Sequence, residues 1–256
     1  MEIITEMPAV SNIKKRSLAK TFRGSRLPKI IAFGALMALP DVASSATLTF
    51  NLNILFSVDS IAPSTPPPWL SVTVTDTVSK QVSLTFSAEN LTVGEYLDDW
   101  YLNLDLAADQ ILTGNFKFNE TGRSGSFVAP TIKIGSNAFV AGPDGRYDLR
   151  FDFANGGGAR DRFGSGESLT YTVTGPAGFN AQLFDTLSAP GSGPYGPYAT
   201  AAHVNGVSNP TPKNPSQTGS AWVAATTVPE PSAGLLGMMG AAACSIFARK
   251  RRDSML

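Results

Sequence analysis

The sequence predicts an all-β protein: an antiparallel, jelly-roll-like β-sandwich with a signal helix ahead of it and a transmembrane helix behind it. Apolar residues recur at every second position through most of the middle of the chain. Turn residues interrupt these runs at short spacing, and two apolar segments with basic neighbours flank them. A period of two sends successive side chains to opposite faces, so each run reads as a half-buried strand. Several such strands need a second sheet to cover their apolar faces, which makes a sandwich.

Residues 1–46 read as a secretory leader. Lys14, Lys15, Arg16, Lys20, Arg23, Arg26 and Lys29 form a basic region ahead of an apolar core at 30–39. That core, about ten residues, is short for a bilayer span. Pro40 breaks it, and Ser44 and Ala46 supply small residues at the −3 and −1 positions of a cut after Ala46. The charges precede the apolar residues instead of alternating with them, which favours a leader over a surface-lying amphipathic helix. Export requires the secretory translocon and a signal peptidase as partners.

Residues 47–187 carry the predicted sandwich. In 47–58, Leu48, Phe50, Leu52, Ile54, Phe56 and Val58 share one face of a strand. Pro63, Pro66, Pro67 and Pro68 then remove ladder donors and impose a loop, with Trp69 expected at the sheet edge. Strands follow at Leu70, Val72 and Val74, and at Val78, Val82, Leu84 and Phe86. The next is at Trp100, Leu102, Leu104 and Leu106, with a short helical turn allowed at 107–110. Phe116 and Phe118 mark another, 127–134 one bent by Pro130, and Tyr147, Leu149, Phe151 and Phe153 a further one. Leu169, Tyr171 and Val173 close the set, giving about eight strands. Turns are predicted at Asn90, 113–115, Thr121-Gly122, 142–145 and 155–158. Residues 188–228 are dense in Gly, Pro and Ser and read as a linker, with islands at 198–204 and 220–223 able to add a last strand.

Residues 229–252 hold Pro229, Glu230 and Pro231, an apolar run at 233–248, and Arg249, Lys250, Arg251 and Arg252. The run is roughly 24 Å of helix at 1.5 Å per residue, and Gly234, Gly237 and Gly240 weaken it, which suits a transient anchor. The clustered cations hold its far end in the cytoplasm. This order of short motif, apolar segment and basic stop resembles the PEP-CTERM sorting signal of bacterial exported proteins. The resemblance implies recognition and cutting by exosortase, a membrane cysteine transpeptidase-like enzyme. It also implies a brief stay in the inner membrane and delivery to the cell surface or the extracellular matrix of a biofilm. The segments RFGSGESLTYTVTG, ATAAHVNGV and GSAWVAA resemble the bodies of other PEP-CTERM proteins, which implies a domain reaching about Trp222.

Charge and cysteine usage exclude several functions. The chain has 20 Lys and Arg against 20 Asp and Glu. Seven of the basic residues lie in the leader and four in 249–252, so nine remain in 47–228 against fifteen acids, a net of about −6. A body of that sign offers nothing to a phosphate backbone, so no nucleic-acid partner is expected. The one cysteine, Cys244, lies in the apolar tail, which leaves the body without a disulfide or a thiol nucleophile. The one histidine, His203, and the absence of a G-x-S-x-G elbow argue against a Ser-His-Asp hydrolase; packing or surface exposure is the expectation for that ring.

Two acidic groups stand out: Glu95, Asp98, Asp99, Asp105 and Asp109, then Asp144, Asp148, Asp152, Asp161 and Glu167. Oxygen-rich loops suit calcium, although neither group has EF-hand spacing; no other cofactor is expected. Trp69, Tyr101, Tyr195, Tyr198 and Trp222 are the aromatics that could stack on sugar rings, with core or edge packing the commoner use of such residues. The sequence therefore points to an exported structural or adhesive protein without enzymatic activity. Its functional residues are the processing positions: Ser44 and Ala46, then Pro229, Glu230 and Pro231, then the four basic residues. The competing reading is a carbohydrate-binding module of the extracellular polysaccharide, calcium-dependent or not.

Overall fold

The structure, a computed structural model, describes residues 45–57, 60–142, 145–210, 214 and 216–226. Within them the chain is all-β, with antiparallel pairing at every ladder. The strands are β1 (Thr47–Leu52), β2 (Ile54–Phe56), β3 (Leu70–Asp76), β4 (Gln81–Ser87), β5 (Tyr96–Leu102), β6 (Lys117–Ser124) and β7 (Thr131–Ala141). They continue as β8 (Gly145–Asp152), β9 (Phe163–Gly164), β10 (Ser168–Thr174), β11 (Ala189–Pro190), β12 (Thr200–Ser208) and β13 (Thr218–Ala225). One helix, α1 (Ala108–Thr113), and two 3-10 turns complete the elements.

Two sheets form. The smaller has the order β1-β3-β4-β10-β6; the larger runs β11-β8-β5-β12-β13-β2, with β7 on β8 and β9 on β5. The apolar faces of both sheets close one core, to which Leu48, Phe50, Val72, Leu84 and Leu169 come from one side and Leu97, Trp100, Phe151, Val204 and Val223 from the other. Phe86 of β4 is central, with ring centroids 4.9 Å from Trp100 and 4.6 Å from Phe151, both edge-on. Trp100 is fully buried. Its Nε1 donates to Thr200 Oγ1 at 2.8 Å, and that hydroxyl donates to the Tyr101 carbonyl at 2.7 Å, so the one polar atom of the indole is satisfied.

Several expectations shift in detail. The run predicted as one strand over 47–58 divides at Asn53: β1 pairs with β3, whereas β2 pairs with β13 of the other sheet. The Asn53 amide donates to Ala224 at the crossing. Phe50 and Leu52 enter the shared core, while Phe56 joins a second apolar cluster on the outer face of the larger sheet; Val58 lies outside the described residues. Strand β5 begins four residues before the predicted Trp100, because the ladder shifts register between His203 and Val204. Leu97 and Trp100 thereby both face the core although they are an odd number of residues apart. Thr121-Gly122, expected as a turn, lies inside β6 at another register shift. Trp69 is buried, with its Nε1 donating to the Thr65 carbonyl at 2.7 Å.

The larger difference concerns the Gly/Pro/Ser-rich segment. The boundary drawn at residue 187 cuts through the larger sheet, because β12 lies between β5 and β13, and β13 between β12 and β2. Ala201, Ala202, Val204, Val207, Ala221, Val223 and Ala224 are all buried there. Small residues on both faces of an interior strand give no alternation, so the pattern reads as linker. Gly206 makes the bulge in β12: its φ is +74°, and a Cβ there would run into the Gly94 carbonyl.

No helix among the described residues is long and apolar enough to cross a membrane. The predicted leader up to Ser44 and the segment holding Pro229, Glu230, Pro231, Arg249, Lys250, Arg251 and Arg252 lie outside the described residues. Ala46 is described: its amide donates to Asp76 Oδ2 and its carbonyl accepts from the Asp76 amide at 2.9 Å.

Removing β12 and β13 would strip two interior strands from the larger sheet, leaving β5 open along one edge and β2 without a partner. A chain ending at residue 187 is expected to lose its fold, read as loss of near-ultraviolet circular dichroism and rapid digestion by protease, whereas a chain ending at residue 226 keeps both.

Candidate functional site

Lys133, Arg150, Asp152, Asp98, Asp99 and His203 gather on the outer face of the larger sheet, and strand register puts them there. One row across the sheet runs Thr131, Asp152, Asp99, His203, Trp222 and Phe56. The next runs Lys133, Arg150, Tyr101, Ala201, Ala224 and Ile54. Both rows are charged at the β7–β8 side and apolar toward β2. The bulge at Asp98 adds one more carboxylate to the charged half.

Each acid there is held. Arg150 grips Asp99 with two bonds, Nε to Oδ1 at 2.6 Å and Nη2 to Oδ2 at 3.1 Å. Lys133 Nζ reaches Asp152 Oδ2 at 2.8 Å, and Arg150 Nη2 lies 3.7 Å from the same oxygen. His203 Nδ1 lies 3.2 Å from Asp98 Oδ2. Burial pushes Asp99 above the usual carboxylate range, outweighing the Arg150 bonds that pull it down. The hydrogen bond with His203 holds Asp98 below that range, against the cost of its own burial. Tyr101 is pushed far up by burial first and by the Asp99 charge second. The Asp99 hydrogen bond in turn raises Arg150 above its ordinary value.

The apolar half is packed. His203 stacks on Trp222 with centroids 4.5 Å apart and planes 23° from parallel. Gly142, with φ +55°, places its backbone against the same indole, where a Cβ would come within 3.3 Å of the ring. Phe56 packs against Trp222, Tyr198 and Tyr195, and Tyr101 against Tyr147. Of the aromatics the sequence offered for sugar stacking, Trp69 and Tyr101 are buried, and Trp222, Tyr195 and Tyr198 are half-buried against neighbours.

The acidic groups do not converge. Glu95 is buried and accepts from the Ser64 amide and hydroxyl, each at 2.9 Å, and from the Thr92 amide, so it closes a loop. Asp109 lies in the first turn of α1, Asp161 accepts from the Gly158 amide, and Glu167 from the amides of Gly164 and Ser126. Asp144 is outside the described residues. Among the described residues no three His, Cys, Asp or Glu are grouped so as to hold a metal ion. Asp105 and Asp148 line one recess beside Asn103, a constellation that sequence reasoning missed; only its two acids were flagged, in different groups. No protein-family model matches the chain, and no curated protein or solved structure matches it.

Two outcomes follow for the charged half. Arg150→Met leaves Asp99 buried without its partner and is expected to cost about 1–3 kcal/mol in urea unfolding, less than for a fully buried pair because the guanidinium is partly exposed. The double variant Arg150→Met with Asp99→Leu should recover most of that loss. For Asp98, a folded-state pKa below the unfolded value means a contribution present above the ordinary carboxylate range and lost as pH falls through the lowered value. Asp98→Asn is therefore expected to lower the melting temperature near about pH 7, with the difference from the parent shrinking toward about pH 3.

Proposed function

We propose that the chain is an exported structural or adhesive protein of the cell surface or extracellular matrix. In this reading its body is delivered through the inner membrane and released by exosortase-type processing at Pro229, Glu230 and Pro231. The single observation that carries it is the order of three parts: the motif, the glycine-punctuated apolar run at 233–248, and the cluster Arg249, Lys250, Arg251 and Arg252. Each part has its physical task. The prolines keep the motif extended and out of the helix, the apolar run enters the bilayer, and the cations fix which end stays inside.

The ends of the folded body support the same reading. Strand β1 opens at Thr47, the residue after the predicted leader cut, and β13 closes at Ala225, just ahead of the motif. Leader removal and tail cutting would both fall beside the sandwich and leave its strands whole. The jelly-roll-like description of that body is supported by the way the chain passes repeatedly from sheet to sheet, at β4 to β5, β5 to β6, β6 to β7, β9 to β10 and β10 to β11. A cysteine-free body with an outer face of paired charges suits a passive role outside the cell.

Changing Arg249, Lys250, Arg251 and Arg252 together to serine should leave full-length, membrane-retained or misoriented protein in the native host, seen as a larger band in the membrane fraction. Normal release of a shortened body would count against the assignment.

A further inference from the structure

A sheet ends on strands whose outward backbone groups have no neighbour to bond, and such edges pair with other chains unless something guards them. The smaller sheet ends on β1 and β6; the larger ends on β2 and, beside β8, on β7 and the short β11. Most of these edges are guarded. Strands β2 and β11 are 3 and 2 residues long, too short to template a partner. Strand β6 carries Lys117, Glu120 and Arg123 and meets a register shift at Thr170 and Tyr171. Strand β7 follows Pro130, carries Lys133 and breaks its ladder between Ile134 and Phe139. Strand β1 has none of these devices: TLTFNL alternates cleanly, without charge, proline, glycine or bulge.

The ladder fixes which way the backbone groups of β1 point. The Asp76 amide donates to the Ala46 carbonyl at 2.9 Å, and Ala46 is in phase with Leu48 and Phe50, which face Val74 and Val72. Bonded and non-bonded pairs alternate along an antiparallel ladder. Leu48 and Phe50 are therefore the bonded positions, and Thr47, Thr49 and Asn51 turn their amides and carbonyls away from β3. The side chains agree. Thr47 meets the Thr75 hydroxyl at 3.1 Å and Thr49 meets that of Thr73 at 3.2 Å, the close approach of non-bonded pairs. Among the described residues no strand lies beyond β1, and Thr47 and Asn51 are exposed.

A second copy of the chain fits this edge. Antiparallel self-pairing about Thr49 sets Thr49 against itself, Thr47 against Asn51 and Leu48 against Phe50. Each outward-turned residue then meets another, so about six backbone bonds form across the twofold axis. Leu48 and Phe50 bring the two apolar cores side by side, while Thr and Asn stay on the outer face. A twofold sets like near like, so a charged strand would meet its own sign. Strand β1 holds no charge, nor do Ser71, Thr73 and Thr75 beside it on the same face. We infer that two copies of this chain join edge to edge at β1, making one continuous sheet across both bodies. This pairing and the sorting of the tail can each fail without the other.

The test follows the full chain in detergent by sedimentation at concentrations up to about 100 µM. A dimer is expected, and Thr49→Pro should weaken it about tenfold or more, because proline removes an outward donor and leaves the bonds to β3 intact. Thr49→Lys keeps every backbone group and sets two cations at the axis; it should weaken the dimer as well, and covers the case in which proline unfolds the strand. In the unaltered protein, hydrogen exchange at the Thr47, Thr49 and Asn51 amides should slow as concentration rises, while the amides of β6 keep their rates. That reading separates pairing at β1 from association through the apolar ends of the chain. A monomer throughout the range, a dimer undiminished in both variants, or Thr49 exchange independent of concentration would each overturn the proposal.

Discussion

Phe86 joins the two sheets, and the rest of the body depends on that contact. Its ring meets Trp100 and Phe151 edge-on and reaches Phe153 at 6.5 Å, so one side chain from the smaller sheet engages two strands of the larger and the residue after β8. Edge-to-face packing of buried aromatics adds about 0.5–1.5 kcal/mol per pair beyond the area removed from water. The body has no disulfide to fall back on, because Cys244 is the only cysteine and lies in the predicted tail. Burial alone must offset a backbone ordering cost of about 1–2 kcal/mol per residue. The bond from Trp100 to Thr200 extends the same contact into β12, which makes the late strands part of the core and not an appendage.

With the inner face committed to that core, the outer face of the larger sheet is stabilised by other means. Its apolar half carries a satellite cluster around Phe56, Tyr101, Tyr147 and Trp222; in its charged half Lys133 pairs with Asp152 and Arg150 with Asp99, and His203 shares a hydrogen bond with Asp98. Such pairs fix register more than they add stability, since exposure and screening leave each ion pair a modest contribution. The bidentate Arg150–Asp99 contact spans β8 and β5, and the His203–Asp98 contact spans β12 and β5. Both hold the bulged strand in place, where a slip of one residue would turn Leu97 and Trp100 to solvent.

The strands with clean alternation were legible in the sequence. Leu70, Val72 and Val74, Val82, Leu84 and Phe86, and Leu169, Tyr171 and Val173 bury as a period of two requires. Strand β5 was not placed correctly, because a bulge changes the phase between Leu97 and Trp100. Strands β12 and β13 were not seen as interior strands, because alanine and valine on both faces carry no polar counterpart. The charged row was half legible: Asp98 and Asp99 stood out as acids, but Arg150 and His203 lie about 50 and 105 residues away and meet them only through the ladder. The recess beside Asn103 left no local signal, since its lining comes from separate segments of the chain.

The proposed processing near Pro229 and after Ala46 makes a definite statement about the mature protein, and intact-mass analysis of material recovered from the native host's surface or medium reads it directly. The account requires a body whose N-terminus lies at Thr47 and whose mass excludes the apolar run and Arg249, Lys250, Arg251 and Arg252. Full-length polypeptide in the soluble cytosol, with both termini intact, would contradict it.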